Sequence, residues 1–194
     1  DNLERPVSID VNRNREFQDG KPVQLTLDAS LQFEVEKELR ESVAKHNANG
    51  GSVIVMNAVN GEILAMANHY PGESWKNRVV TDGVEPGSIL KPILVAAALA
   101  HGWQEKDRIY AEEGEFTVQG KKISEAEAHE KFEWLSLADM IKVSSNVGAA
   151  KVALKLGDKK YLETLRLLGL SKKTGLGFPG EVSGWLPSQK VTPL

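Results

Sequence analysis

The sequence predicts an α+β fold in which an antiparallel β-sheet is flanked by helices, with a mostly helical subdomain beside it. Two strand-like runs, residues 52–57 and 62–68, flank an Asn-Gly dipeptide, which favours the positive φ angles of a tight hairpin turn. An almost wholly apolar run over residues 93–99 is typical of a buried helix. Helical patterns return over residues 136–168. The apolar helix is therefore expected to pack against the sheet.

Composition restricts the function classes. Of the 194 residues, 41% are hydrophobic and 26% charged, which is typical of a globular protein and excludes a disordered tail. The net charge of −3 provides no basic surface for nucleic acid or anionic lipid. The chain has no cysteine, and its four histidines share no metal-ligand spacing, so neither a metal nor a cofactor is expected. The longest apolar run, residues 93–100, is far shorter than the roughly 18–20 residues that span a bilayer.

The first part of the chain is predicted to contain a connector, a strand and a helix. Residues 1–22 are polar and are interpreted as a connector or the end of a preceding non-catalytic module. Residues 23–27 alternate apolar and polar side chains, which predicts a short half-buried strand. Asp28 or Ser30 is suited to cap a helix that runs to about His46. Its apolar residues recur at every fourth position along one face: Leu31, Val35, Leu39 and Val43.

The middle of the chain alternates between loops and helices. Residues 70–84 are rich in polar and turn residues and predict a loop. A helix is predicted over residues 89–101, with Pro92 in its first turn, where the missing N–H costs little. Residues 103–131 are expected to be irregular apart from a short strand at 115–119.

The last helices are marked by caps. Ser136 followed by Asp139 has the pattern of a capping box and predicts a helix start. The polar tripeptide at residues 144–146 is expected to interrupt this helix, because such side chains compete for backbone hydrogen bonds. The helix then resumes to Gly157, and a further helix is predicted over residues 158–168.

Ser88 and Lys91 are candidates for a nucleophile and its base, because residues three positions apart lie on the same face of a helix. A serine hydroxyl needs a base within hydrogen-bonding reach. A lysine is a base only when it is neutral, which requires burial or a nearby cation, and the field of the helix N-terminus acts in the same direction. The alternative is an ordinary helix-capping serine, because Ser-x-x-Lys occurs by chance in many proteins.

Ser144 and Asn146 are a second candidate pair. A hydroxyl and an amide at this spacing are able to relay a proton and to hold a substrate amide. The alternative is a capped kink between two helices, with no role in chemistry.

The two candidate pairs together resemble the transpeptidase domain of the penicillin-binding proteins, specifically the class B, monofunctional type. Residues 85–92 (EPGSILKP) followed by residues 144–146 (SSN) carry the resemblance. It extends over residues 23–194, which are interpreted as a partial transpeptidase domain. Further segments that fit the family are residues 50–56, 61–67, 77–78, 81–82, 146–151 and 178–181.

The resemblance implies acyl transfer on the stem peptides of peptidoglycan. Ser88 would attack the penultimate D-Ala carbonyl of one stem peptide, and its backbone N–H would donate to the oxyanion. Lys91 would take the proton from Ser88. Ser144 would relay a proton to the leaving amine, and Asn146 would hold the amide of the donor peptide. An amine of a second stem peptide would then complete the cross-link, and β-lactams would acylate the same serine.

The resemblance also implies a location and partners. Such domains work outside the cytoplasmic membrane, tethered by an N-terminal anchor that this chain does not include, beside a membrane glycosyltransferase. No nucleic acid is expected as a partner. Two alternatives remain: a non-catalytic scaffold or β-lactam sensor with the same fold, and a serine β-lactamase or D,D-carboxypeptidase that passes the acyl group to water.

A third family motif, Lys-Thr-Gly or Lys-Ser-Gly on an edge strand, would supply a second oxyanion donor. Residues 173–175 have this sequence, but they follow a helix and lack the alternation of a strand. We interpret them as the turn before the Phe-Pro-Gly-Glu segment at residues 178–181. The true motif is then expected beyond Leu194, and the domain is expected to be incomplete at its C-terminal side.

Overall fold

A computed structural model describes residues 20–72 and 76–187, which form two compact units divided after Gly72. The connector predicted over residues 1–22 lies, apart from its last three residues, outside the described residues. Among the helices of residues 20–72 and 76–187, none has the length and hydropathy that a membrane-spanning helix requires.

The first unit consists of one helix and one hairpin. Helix α1 (Ala29–Lys45) is followed by strands β1 (Gly51–Met56) and β2 (Ile63–His69), which pair antiparallel. The Asp28 carboxylate accepts a hydrogen bond from the Leu31 N–H at 2.9 Å and so satisfies one free donor of the first turn. The predicted helix, with Asp28 rather than Ser30 as its cap, is confirmed.

The predicted hairpin is also confirmed, although its turn is longer than expected. Six residues, 57–62, connect the strands, and the Asn57 N–H donates to the Glu62 carbonyl at 2.9 Å within this connection. Gly61 adopts the left-handed region at φ 78°. Asn60 contributes through its side chain instead, which accepts from the Glu62 N–H at 3.0 Å.

The strand predicted at residues 23–27 is wrong. This segment has no regular structure, and Val23 and Leu25 are 82% and 66% exposed. The Thr26 hydroxyl donates to the Ile63 carbonyl at 2.6 Å, which tethers the segment to β2 without forming a ladder. Alternation predicts a strand only where one face finds apolar neighbours to bury against, and these two apolar side chains remain in solvent.

The second unit begins with α2 (Arg78–Thr81) and a 3₁₀ turn (Gly87–Leu90) that leads directly into α3 (Lys91–Ala100). Three further helices follow later in the chain. They are α4 (Leu137–Lys142), α5 (Asn146–Leu156) and α6 (Asp158–Leu167). The helices predicted over residues 89–101, 136–157 and 158–168, and the interruption between α4 and α5, are confirmed, whereas α2 lies in a segment predicted to be a loop.

Two small antiparallel sheets complete this unit. Strand β3 (Arg108–Tyr110) pairs with β6 (Trp134–Ser136), and β4 (Glu115–Val118) pairs with β5 (Lys121–Ser124). The strand predicted at residues 115–119 is confirmed. The other three strands lie in or beside the segment expected to be irregular. They were not predicted, because strands of three or four residues are too short to show alternation.

The core of the second unit is helical. Leu94 and Ala98 of α3 are buried with Leu137 and Met140 of α4 and with Val152 of α5. The predicted burial of α3 is confirmed for one face, and its packing against the hairpin stays a prediction.

Side-chain caps mark the starts of both α4 and α5, and the chain breaks between the two helices. Ser136 and Asp139 form the predicted capping box at the start of α4. Ser144 adopts the left-handed region at φ 52°, which turns the chain out of α4. The Ser145 hydroxyl then accepts from the Gly148 N–H at 2.8 Å and caps α5.

The helical core predicts the effect of one truncation. Leu137→Ala should lower the free energy of unfolding by about 2–5 kcal/mol, because Leu137 is 1% exposed and its removal leaves a cavity. Urea unfolding measures this change. The matched variant Leu167→Ala should stay within about 0.5 kcal/mol of the parent protein, since Leu167 is 86% exposed. Equal effects of the two substitutions would contradict this core.

Candidate active site

Ser88 and Lys91 are held one turn apart at the start of α3. The Lys91 N–H donates to the Ser88 carbonyl and closes the 3₁₀ turn. Side chains three residues apart eclipse one another in such a turn, so both project from the same face. Gly87 begins the turn at φ 59°, a conformation that favours glycine. Ser88 is exposed to solvent.

The Lys91 ammonium reaches the break between α4 and α5. Its Nζ lies 3.0 Å from Ser144 Oγ and 2.8 Å from Asn146 Oδ1, and it also donates to the Ser144 carbonyl oxygen. The structure thus brings Lys91, Ser144 and Asn146 into direct contact, with Ser88 one turn before Lys91. All four predicted site residues lie in the second unit.

The electrostatic environment of Lys91 combines two opposed effects. Partial burial lowers the pKa of Lys91, because desolvation disfavours the charged ammonium. The charges of Glu125 and Glu130 act in the opposite direction and raise it, but the net shift is downward. A lysine with a lowered pKa is better suited to accept a proton.

Glu125 is a site residue that sequence reasoning missed. It follows β5, is 9% exposed and accepts two hydrogen bonds of 2.6 Å, from the Ser145 hydroxyl and from the Asn146 N–H. Hydrogen bonds to charged groups contribute about 1.5–3 kcal/mol each. The sequence held no direct signal for this contact, because the burial of Ser145, which requires a hydrogen-bond partner, is seen only in the structure. Ser145 and Glu125 are 20 residues apart in sequence, so the spacing does not indicate which acidic residue is the partner of Ser145.

The Asn146 amide is oriented from both ends. Its Nδ2 donates to the Ser124 carbonyl at 3.0 Å, while its Oδ1 accepts from Lys91. The end of β5 therefore supplies two consecutive residues, Ser124 and Glu125, that fix the first residue of α5.

As predicted, residues 173–175 do not form a strand. The Thr174 N–H and hydroxyl both donate to Glu181 Oε1 at 2.6 Å. These two hydrogen bonds lower the pKa of Glu181, a carboxyl group that is buried in the turn. The Lys-Thr-Gly sequence here is a structural turn that closes on the Pro-Gly-Glu segment.

No metal site is found in the described ranges. Within residues 20–72 and 76–187, no three His, Asp or Glu side chains are grouped so as to hold an ion.

An α+β fold that carries a serine and lysine pair beside a Ser-x-Asn turn defines a class: the penicillin-recognising serine enzymes. The chain matches the family model of the penicillin binding protein transpeptidase domain over residues 51–194. The chain therefore belongs to this family, and the predicted class B transpeptidase domain and α+β fold are confirmed.

Individual relatives agree with this assignment. The chain is 37% identical over 180 residues to a probable peptidoglycan D,D-transpeptidase, PbpC, of Pseudomonas aeruginosa, covering 87% of this chain and 31% of that protein. The transpeptidase domain of penicillin-binding protein 3 from Burkholderia pseudomallei superposes with a TM-score of 0.76 and 32% identity, covering 84% of this chain and 47% of that one.

A second solved structure is similar over the same share of this chain. Penicillin-binding protein 3 from Mycobacterium tuberculosis, complexed with aztreonam, has a TM-score of 0.76 and 29% identity, covering 84% of this chain and 39% of that one. The chain spans about a third of the length of the curated relatives it matches.

The Thr174–Glu181 contact predicts a change in titration. Thr174→Val removes the hydroxyl donor, so the pKa of Glu181 should rise towards its ordinary value. A carboxyl group with a lowered pKa stabilises the folded state above its unfolded pKa, and this stabilisation is lost as the pH falls through the folded pKa. The variant should therefore lose less stability on acidification. Carbon NMR of the Glu181 carboxyl measures the pKa, and Thr164→Val on α6 is the matched control. An unchanged pKa in Thr174→Val would contradict this assignment.

Proposed function

We propose that this protein is a peptidoglycan D,D-transpeptidase that cross-links stem peptides through an acyl-enzyme on Ser88. The observation that carries the proposal is the placement of the Lys91 ammonium, 3.0 Å from Ser144 Oγ and 2.8 Å from Asn146 Oδ1, one turn after an exposed serine. The name of the Pseudomonas aeruginosa relative, a probable peptidoglycan D,D-transpeptidase, supports the same substrate.

The chemistry follows from these contacts. Neutral Lys91 takes the hydroxyl proton as Ser88 Oγ bonds to the penultimate D-Ala carbonyl carbon of the donor stem peptide. The peptide C–N bond then breaks, and the leaving D-Ala amine receives a proton through Ser144. An amine of a second stem peptide attacks the acyl-enzyme, forms the new amide bond and returns the proton to Ser88. Asn146 holds the donor amide during these steps.

The same site accounts for inhibition by β-lactams. Opening of the strained lactam amide by Ser88 forms an ester of the same kind as the substrate acyl-enzyme, and the aztreonam complex of the Mycobacterium tuberculosis relative supports such binding. The proposal extends to an extracytoplasmic location, to a membrane anchor and to a glycosyltransferase partner. It also includes the assignment of residues 23–194 to the transpeptidase domain, after a connector at residues 1–22.

Acylation by benzylpenicillin tests the nucleophile. Incubation of the purified protein should produce one covalent adduct, seen by intact-mass spectrometry, and Ser88→Ala should abolish it. Ser52→Ala, at an exposed serine of β1, is the control and should leave the adduct unchanged. An adduct that persists in Ser88→Ala would refute the assignment. Release of the adduct as penicilloate with rapid turnover would favour a β-lactamase, and a stable adduct without transfer to an acceptor amine would favour a sensor.

The role of Lys91 predicts a pH dependence. The acylation rate should rise with pH and level off above the pKa of Lys91, which burial lowers, because only the neutral amine accepts the Ser88 proton. Lys91→Arg should slow acylation by about 10²–10⁴-fold, since a guanidinium keeps its proton. Stopped-flow kinetics across neutral and alkaline pH measures both effects. Lys142→Arg, at an exposed lysine of α4, is the matched control, and equal rates in the two variants would contradict this role.

A further inference from the structure

The turn that carries Ser144 and Asn146 is held from two sides. Lys91 donates to Ser144 Oγ, to the Ser144 carbonyl oxygen and to Asn146 Oδ1. The two carboxylate oxygens of Glu125 accept from other atoms of the turn, the Ser145 hydroxyl and the Asn146 N–H. The turn is therefore bound between a cation and a carboxylate that are not hydrogen-bonded to each other.

Ser145 links Glu125 to the geometry of α5. Its hydroxyl donates to Glu125 Oε1 at 2.6 Å and accepts from the Gly148 N–H at 2.8 Å. Because the single hydroxyl hydrogen points at Glu125, a lone pair remains directed at the first turn of α5. A Cβ on Gly148 would lie 3.0 Å from Ser145 Oγ, so the space around this hydroxyl is closed.

Glu125 is itself fixed in place. Its N–H donates to the Gly114 carbonyl at 3.1 Å, which joins the end of β5 to the segment before β4. Gly114 has φ 93°, and a Cβ there would lie 2.3 Å from the Glu130 carbonyl oxygen, so the close backbone approach requires glycine. The carboxylate thus projects from a backbone position with little freedom.

Glu130 offers a natural comparison. It lines the same cavity of about 370 Å³ as Glu125, and both charges act on Lys91. The Glu130 carboxylate instead accepts a hydrogen bond from the Glu127 N–H at 3.2 Å, which is not part of the Ser144–Asn146 turn. Glu125 therefore acts on Lys91 through its charge and also hydrogen-bonds to the turn, whereas Glu130 acts on Lys91 through its charge and hydrogen-bonds outside the turn.

We propose that Glu125 is a positioning residue of the active site: its carboxylate holds the Ser144–Asn146 turn in the geometry that presents Ser144 and Asn146 to Lys91. This inference rests on the proposed function of the site. Glu125 acts through Ser145 and Asn146, and it does not touch the reacting atoms.

Three variants separate the geometry from the charge. Glu125→Asp keeps the charge but shortens the side chain by one methylene, so that it cannot reach both donors. Glu130→Gln removes a charge near Lys91 and leaves the turn intact. Glu125→Gln changes both, because its single amide oxygen can accept only one of the two hydrogen bonds and its NH₂ can accept neither. Benzylpenicillin acylation is measured against pH, which provides a plateau rate and a midpoint for each protein.

The expected results differ between the variants. Glu125→Asp should lower the plateau rate by about 10- to 100-fold at a nearly unchanged midpoint, since misplacement by about 1 Å is costly in a catalytic site. Glu130→Gln should keep the plateau rate of the parent protein and move the midpoint to lower pH, because one charge that stabilises the Lys91 ammonium is gone. Glu125→Gln should show both changes.

NMR provides a readout that does not depend on acylation. The backbone amide resonances of Ser145 and Asn146 should move in both Glu125 variants and stay in place in Glu130→Gln. The Lys91 side-chain resonance should titrate at lower pH in Glu125→Gln and in Glu130→Gln. If the parent protein forms no adduct, the proposed function fails, and these resonances still decide the role of Glu125.

Two results would overturn the inference. The first is a plateau rate in both Glu125 variants equal to that of Glu130→Gln. The second is a set of Ser145 and Asn146 amide resonances that is the same in all four proteins. If Glu125→Gln does not fold, Glu125→Asp and Glu130→Gln still make the comparison.

Discussion

The contact between the Lys91 ammonium and the turn at residues 144–146 is the interaction on which the site depends. It joins side chains 53 and 55 residues apart in sequence, and it exists because α3 and α4 share one buried core. Small residues in α3 allow this close approach, since Ala97 and Ala98 are fully buried. The helical core thus places the Lys91 ammonium beside Ser144 and Asn146, one turn after an exposed serine.

The position of Lys91 at the border of this core determines its chemistry. Deeper burial without a partner would carry a large desolvation cost, and full exposure would leave the ammonium protonated. Partial burial lowers its pKa, while Glu125 and Glu130 limit the shift. The net pKa shift of Lys91 is therefore set by burial on one side and, on the other, by two carboxylates that lie outside the family motifs.

The parts of the fold that were predictable are those governed by local rules. The hairpin has its Asn-Gly turn, α1 has Asp28 as a cap, and α4 has a capping box, all set by neighbouring residues. The segment at residues 23–27 was predicted wrongly because its alternation needs a buried face that the tertiary structure does not provide. The short strands β3 and β6 were missed because their pairing is decided by partners more than 20 residues away.

For the site, the sequence by itself determined the residue types and the family. The Ser-x-x-Lys spacing follows from the geometry of one 3₁₀ turn, which local sequence encodes. The Ser-x-Asn tripeptide was expected to interrupt a helix, and the Lys-Thr-Gly at residues 173–175 was expected to lie outside a strand; both are confirmed. Only the tertiary structure decided that Lys91 faces Ser144 and Asn146, and that Glu125 holds their turn from behind. Hydrogen bonds between distant segments depend on how the intervening chain folds, which cannot be predicted from the spacing of residues within one motif.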